Sequence, residues 1–254
     1  MPTVLEAKGL NKSFGAVRGA SDINVAIEEG AVVGVIGANG AGKTTFVNMV
    51  TGYIKPDSGS ILFKGRDITH LGPKDTTVAG ICRSFQIPQI FRSVSVFENL
   101  LTAMAIAESR GMPMWQPIAQ PDRLERCAAT LARFQIDGYS DQPAETLPQG
   151  VRKLLDIAMA TVHSPEVLML DEPTSGIAAG EKFQIMDIVI GALRDQKVTV
   201  LFIEHDMEVV ARYAGRVLAF YDGRVIADGP PDAVLADAQV RRYVIGDTLH
   251  GDAA

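Results

Sequence analysis

One junction constrains this chain more than any other. The apolar run Val32-Val33-Gly34-Val35-Ile36 passes directly into Gly37-Ala38-Asn39-Gly40-Ala41-Gly42-Lys43-Thr44-Thr45, and that loop passes directly into Phe46-Val47-Asn48-Met49-Val50. A buried strand, a glycine-rich loop and a helix start follow one another without a spacer. Glycines at 37, 40 and 42 let the backbone curl, so that consecutive N–H groups point inward, and the helix start adds the positive end of its dipole. Such a cradle suits phosphate. Lys43 is then placed to reach the β- and γ-phosphates of a nucleotide, and the Thr44 hydroxyl to join a Mg²⁺ shell. The loop predicts ATP and Mg²⁺ as cofactors.

Three more strand-sized runs end in polar residues. Val167-Leu168-Met169-Leu170 runs into Asp171-Glu172-Pro173-Thr174. A carboxylate pair after a buried strand sits at the carboxyl edge of a sheet, where Asp171 can hold Mg²⁺ through water and Glu172 can orient or deprotonate an attacking water. Val198-Thr199-Val200-Leu201-Phe202-Ile203 ends in Glu204-His205-Asp206. His205 would emerge at that edge near the γ-phosphate, as a hydrogen-bonding sensor or a proton carrier. Ile81-Cys82-Arg83-Ser84-Phe85 runs into Gln86, whose amide is suited to Mg²⁺ or to the attacking water. Four strands delivering four polar functions to one edge match the place where open parallel sheets bind ligands.

Continuous apolarity over so few residues indicates strands covered on both faces. Between two of them, Phe183, Met186, Ile190 and Leu193 recur at helical spacing, predicting a helix over 181–194. Strand, helix, strand implies a parallel sheet. The shorter runs near the start and around 60–64 fit an antiparallel side-sheet. Segments 96–108 and 122–134, rich in Ala, Leu, Glu and Arg, flank a loop-like Gly111-Met112-Pro113-Met114-Trp115-Gln116-Pro117. The expected organisation is a core of 1–85 and 161–254, with a helical subdomain inserted at 86–160.

Bulk properties narrow the partners. With 24 basic against 30 acidic residues, the chain lacks the basic footprint of a nucleic-acid binder. The two cysteines, Cys82 and Cys127, have no metal-ligand spacing and read as reduced, buried thiols. No apolar run approaches the roughly 18 to 20 residues of a membrane span, and the amino terminus lacks a secretory pattern. A cytoplasmic location is expected.

Taken together, these residues resemble the nucleotide-binding subunit of ATP-binding cassette (ABC) transporters. The resemblance implies an α/β fold: a P-loop NTPase core with a mostly parallel sheet flanked by helices, an antiparallel β side-sheet and an inserted helical subdomain. It further implies an aromatic at Phe14 stacking on adenine, the Walker A loop at Gly37 to Thr45, the Q-loop at Gln86, Walker B and its catalytic glutamate at Asp171-Glu172, and a switch histidine at His205. A signature segment that acts in trans on a partner's nucleotide falls at Leu147-Pro148-Gln149-Gly150. Here the sequence departs from the family. Pro148 replaces the usual serine, though proline suits the first turn of the following helix. Ala178 stands where an Asp or Asn is common. Both departures fall on elements that act in trans, and the elements that act in cis are intact. A heterodimer with a different ATPase subunit is therefore favoured over a homodimer.

Within the family, Arg83-Ser84-Phe85-Gln86, Ile203-Glu204-His205-Asp206-Met207 and Gly229-Pro230-Pro231-Asp232-Ala233-Val234 resemble the ATP-binding subunits of branched-chain amino acid uptake systems. That resemblance implies integral-membrane permease subunits, an extracytoplasmic solute-binding protein and a peripheral place on the cytoplasmic face of the inner membrane. A docking surface for the permease is expected near 86–97. Two other classes remain open. A P-loop kinase would use Arg152 and Lys153 as lid cations but leaves Gln86 and His205 unexplained. A non-transport ABC ATPase acting on DNA or ribosomes would bring paired cassettes, a coiled coil or a basic surface.

Overall fold

The computed structural model describes residues 2–84, 89–108 and 117–246. Two twelve-residue strands open the chain, β1 (Thr3–Phe14) and β2 (Val17–Glu28), followed by β3 (Val32–Gly37) and α1 (Lys43–Val50). Next come β4 (Ser58–Phe63), β5 (Arg66–Asp67) and α2 (Pro73–Ala79). The middle holds β6 (Ile81–Arg83), α3 (Val96–Glu108), α4 (Pro121–Arg133), α5 (Gln149–Ala160), β7 (Val167–Asp171) and α6 (Lys182–Asp195). After it come β8 (Thr199–Ile203), α7 (Met207–Tyr213), β9 (Arg216–Tyr221), β10 (Arg224–Gly229), α8 (Pro231–Ala236) and α9 (Ala238–Val240).

These elements form two compact units, 1–79 with 199–254, and 80–198. The first is organised on β3, which pairs in parallel with β8 on one side and β9 on the other; β10 pairs antiparallel with β9. Val33, Val35 and Ile36 of β3 are fully buried, as a strand covered on both faces requires. The antiparallel sheet, in the order β2-β1-β4-β5, alternates instead: Ile23, Val25 and Ile27 are buried while Asn24, Ala26 and Glu28 face water. Arg216 ties the two sheets of this unit together. Its guanidinium forks onto Asp228 at 2.6 and 2.7 Å, a hydrogen-bonded carboxylate that raises the Arg216 pKa, and donates to the Ala26 carbonyl at 2.7 Å.

In the second unit β6 and β7 pair in parallel, with Ile81 opposite Val167 and Arg83 opposite Met169. Helix α3 starts on a capping box, Ser95-Val96-Phe97-Glu98. The Ser95 hydroxyl accepts from the Glu98 N–H at 3.1 Å, and the Glu98 carboxylate accepts from the Ser95 N–H at 2.8 Å, which lowers its pKa. Helix α4 begins one residue earlier than its apolar pattern predicts because Pro121 suits the first helical position. Arg123, 1% exposed, forks onto Glu108 at 2.7 and 3.0 Å and donates to the Ile118 carbonyl, fastening the end of α3 to the start of α4. The segment expected to be a helical subdomain, 86–160, falls inside this unit, which also takes in β6, β7 and α6. Cys82 and Cys127 are free and buried, and burial pushes both thiols up to about 12, so neither is a nucleophile at neutral pH. Among the described residues no helix is long and apolar enough to cross a membrane.

Candidate functional site

The phosphate loop sits in the first unit where its sequence pattern places it, between β3 and α1. Gly42 is the N-cap of α1 with φ 103° and offers no side chain to the helix's leading N–H groups, which stay directed at the loop's interior. A Cβ on Gly42 would come within 2.6 Å of the Gly19 carbonyl and 3.1 Å of Gly223 Cα. The loop is thus wedged between β2 and the β9–β10 turn, where the Gly223 N–H donates to the Ala41 carbonyl at 3.0 Å. Lys43, 5% exposed, turns its Nζ back onto the Gly37 carbonyl at 2.6 Å and the Ala38 carbonyl at 3.0 Å. An ammonium buried inside a ring of backbone dipoles suits an oligophosphate. Ala38, Asn39, Gly40 and Thr44 are exposed and Thr45 is half-buried, so the rim of the loop, including the Thr44 hydroxyl, faces solvent.

Phe14 stands at the end of β1 and is 49% exposed. A Cβ on Gly19 would meet the Phe14 ring at 2.7 Å and Thr45 Cγ2 at 3.0 Å. The aromatic face and the end of the phosphate loop therefore border the same stretch of β2 backbone. Lys12 Nζ lies 5.8 Å from the ring centroid. A planar, half-exposed aromatic bordering a phosphate cradle provides a stacking surface for a base.

His205 leaves β8 beside the end of β3. The Glu204 N–H donates to the Val35 carbonyl at 3.3 Å, so His205 follows in the row that leads into Gly37. The side chain is exposed. Asp206 caps the next helix, accepting from the Glu208 N–H at 2.9 Å and the Val209 N–H at 3.3 Å, which fixes the turn on which His205 stands.

The acidic pair lies in the second unit at the end of β7. Asp171 is largely buried and pairs with Arg83 at 2.5 Å, and Lys153 Nζ donates to the Asp171 carbonyl at 3.2 Å. Glu172 is half-buried with φ 47°, a left-handed backbone that costs a non-glycine residue about 1 to 3 kcal/mol. Strain of this kind concentrates at functional positions. The signature segment opens α5 in the same unit. Leu147 is buried, and Pro148 is the N-cap with φ −54° and ψ 152°. Pro148 thus precedes the first turn in which the sequence places it, and it leaves α5 without a side-chain cap. Gln149 is exposed and reaches the Ser175 carbonyl at 3.4 Å, while Gly150 is buried against Ile185. Ala178 is exposed in the turn before α6.

Gln86 lies outside the described residues, as does most of the loop 111–117. Of the expected docking surface, Phe91 is exposed, Ile90 and Phe97 are half-buried, and Ile87 is outside the described residues. Two residues that touch the acidic loop, Arg83 and Lys153, were not singled out for it by sequence reasoning. A charge inside the strand-sized run Ile81-Cys82-Arg83 was the available signal for the first.

A family model described as ABC transporter matches residues 20–175. The high-affinity branched-chain amino acid transport ATP-binding protein LivG of Escherichia coli (strain K12) is 32% identical over 251 residues, covering 96% of this chain and 98% of that protein. The probable branched-chain amino acid transport ATP-binding protein LivG of Archaeoglobus fulgidus is 30% identical over 249 residues, covering 96% and 95%. Among solved structures, an ATP-binding cassette of an ABC transporter in its ADP conformation superposes with a TM-score of 0.85 at 29% identity, over 94% of this chain and 97% of that one. The cbiO1 subunit of an ABC transporter complex from Clostridium perfringens superposes with a TM-score of 0.82 at 30% identity, over 95% and 94%.

Proposed function

The chain belongs to the ABC transporter family, and on that premise we propose that it is the ATP-hydrolysing subunit of an importer for branched-chain amino acids or a related amide or carboxylate. The fold is that of a P-loop ATPase, and its family couples ATP hydrolysis to transport. The observation that carries the reading is the phosphate loop, with Lys43 buried among its carbonyls and an aromatic face at its border. The solute class is taken from the named relatives, which are branched-chain amino acid transport proteins.

In this reading Phe14 stacks on the adenine, the N–H groups of 37–45 take the phosphates, and Lys43 neutralises the β- and γ-phosphate charge. Thr44, Gln86 and Asp171 offer the oxygen donors that would hold Mg²⁺, which would supply positive charge to offset that of the phosphates. Glu172 orients and deprotonates the attacking water, and His205 hydrogen-bonds the γ-phosphate. Positioning and charge do most of the work, because phosphoryl transfer leaves the protein little covalent chemistry. The chain sits at the cytoplasmic face of the membrane on permease subunits served by a solute-binding protein. It pairs with a second, different ATPase subunit, because Pro148 offers neither a hydroxyl nor an N–H and Ala178 no carboxylate to a partner's nucleotide.

The test is single-turnover ATP hydrolysis by the assembled complex carrying Glu172→Gln in this chain alone. Near-complete loss is expected, because the intact site is the one built from this chain's own Walker residues. Turnover of half the original or more would mean that the second site works equally well, and the heterodimer with unequal sites would be abandoned.

A further inference from the structure

Two side chains one turn apart on α5 reach the same stretch of backbone. Lys153, 3% exposed, donates from Nζ to the Asp171 carbonyl at 3.2 Å, and Gln149 donates from Nε2 to the Ser175 carbonyl at 3.4 Å. Residues i and i+4 lie one above the other on a helix face, so the first turn of α5 lies along the loop from 171 to 175. Glu172 stands between the two anchored carbonyls, and its φ of 47° is a conformation that persists only where the surroundings over-determine it. The fit is close. A Cβ at Gly176, whose φ is 74°, would lie 2.1 Å from Gln149 Nε2, so a side chain there would push the Gln149 amide off its place against the loop. From β6, Arg83 holds the Asp171 carboxylate. A buried ammonium placed on a backbone carbonyl is costly to desolvate, and such a group fixes the piece of chain it binds.

We propose that Gln149 and Lys153 are positioning residues that hold Glu172 in its left-handed conformation, so that the helix opened by the signature segment orients this chain's own catalytic carboxylate. The proposal rests on the reading of Glu172 as the residue that activates water. Its consequence is communication between sites. The start of α5 addresses the nucleotide of the second ATPase subunit, and two hydrogen bonds tie that helix to the carboxylate that serves the nucleotide on this chain. Pro148 is compatible with such a role, because it fixes the backbone at the N-cap of α5 while leaving Gln149 and Lys153 in place.

The experiment uses the full chain in its assembled complex and compares Gln149→Ala, Lys153→Met and Lys153→Arg. Three quantities are read: backbone hydrogen exchange over 172–175, kcat, and affinity for a fluorescent ATP analogue. Gln149→Ala and Lys153→Met are expected to speed exchange about tenfold, the scale of one hydrogen bond, and to lower kcat about fivefold while affinity stays within about twofold. Lys153→Arg keeps a donor and is expected to restore kcat. Unchanged exchange in both loss variants, or kcat and affinity falling together, would overturn the proposal. Gln149 is exposed, so its variant can be read even if Lys153→Met does not fold; because Gln149 also belongs to the segment that faces the partner's nucleotide, its exchange over 172–175, and not its kcat alone, decides the matter. Glu172→Gln separates the two readings: normal hydrolysis by that variant removes the catalytic role of Glu172, while the exchange data still report on the clamp.

Discussion

Asp171 and Arg83 pair at 2.5 Å with side chains 13% and 8% exposed. Desolvating two charges is costly and is recovered only while both are present, so deleting one partner costs more than the pair contributes. Arg83→Met is expected to lower the unfolding free energy by about 3 kcal/mol in urea denaturation. Adding Asp171→Asn leaves no uncompensated charge and is expected to recover most of that loss. A single-variant loss below about 1 kcal/mol would place the pair among solvated surface bridges. Phe14 presents the opposite case. The residue is about half exposed, so little burial is lost on truncation. Phe14→Ala is expected to leave the melting temperature nearly unchanged and to weaken ATP binding about tenfold, the worth of one base–aromatic stack. Phe14→Tyr, which keeps the ring, is expected to bind within about twofold of the original, and both are read with a fluorescent analogue. Equal affinities for the Ala and Tyr variants would remove the stacking role.

At the scale of elements, the strands and longer helices are legible because burial imposes a period on the sequence. The run 32–36 reads as a strand covered on both faces, and β3 is one. The helix expected over 181–194 forms at Lys182–Asp195, and the capping box at Ser95 fixes the start of α3. Charged side chains that turn inward are less legible. Lys153 occupies the buried face of α5, and no apolar period marks an ammonium that donates to a carbonyl eighteen residues away in sequence. Pro148 is displaced for a similar reason. Proline tolerates both the N-cap and the first helical position, so its presence marks the start of α5 only to within a residue. Asp206 gives a prediction at this scale. It caps α7 through two backbone N–H groups, and Asp206→Ala is expected to cost about 1 kcal/mol of stability in thermal unfolding. The turn that carries His205 loses its anchor at the same time, so kcat is expected to fall more than ATP affinity. An unchanged kcat would mean that His205 is held by β8 alone.

At the scale of the whole molecule, the residues proposed to bind and cleave a nucleotide are visible in the sequence because phosphate and its metal demand particular groups next to particular elements: glycines and Lys43 after β3, carboxylates after β7, a histidine after β8. The supporting contacts of Arg83, Lys153 and Gln149 depend on tertiary approach, and no spacing announces them. On the proposed reading residues 147–150 serve another chain's site, so their chemistry is tested in the assembly. In a complex whose copy of this chain carries Glu172→Gln, the remaining turnover comes from the reciprocal site, which uses the 147–150 segment. Pro148→Ser returns a hydroxyl there, and turnover is expected to rise about tenfold, the rate equivalent of one hydrogen bond to a charged group. Serine is also a favoured N-cap, so the same change is expected to stabilise α5 by about 1 kcal/mol. Capping raises the melting temperature without touching nucleotide, whereas a new contact to phosphate raises single-turnover rate; measuring both in the same preparation separates them. A higher melting temperature with no gain in turnover would mean that the segment does not act on the partner's nucleotide through position 148. Residual activity would then rest on Gln149 and Gly150, and the argument for an unequal pair of sites would have to stand on Ala178 alone.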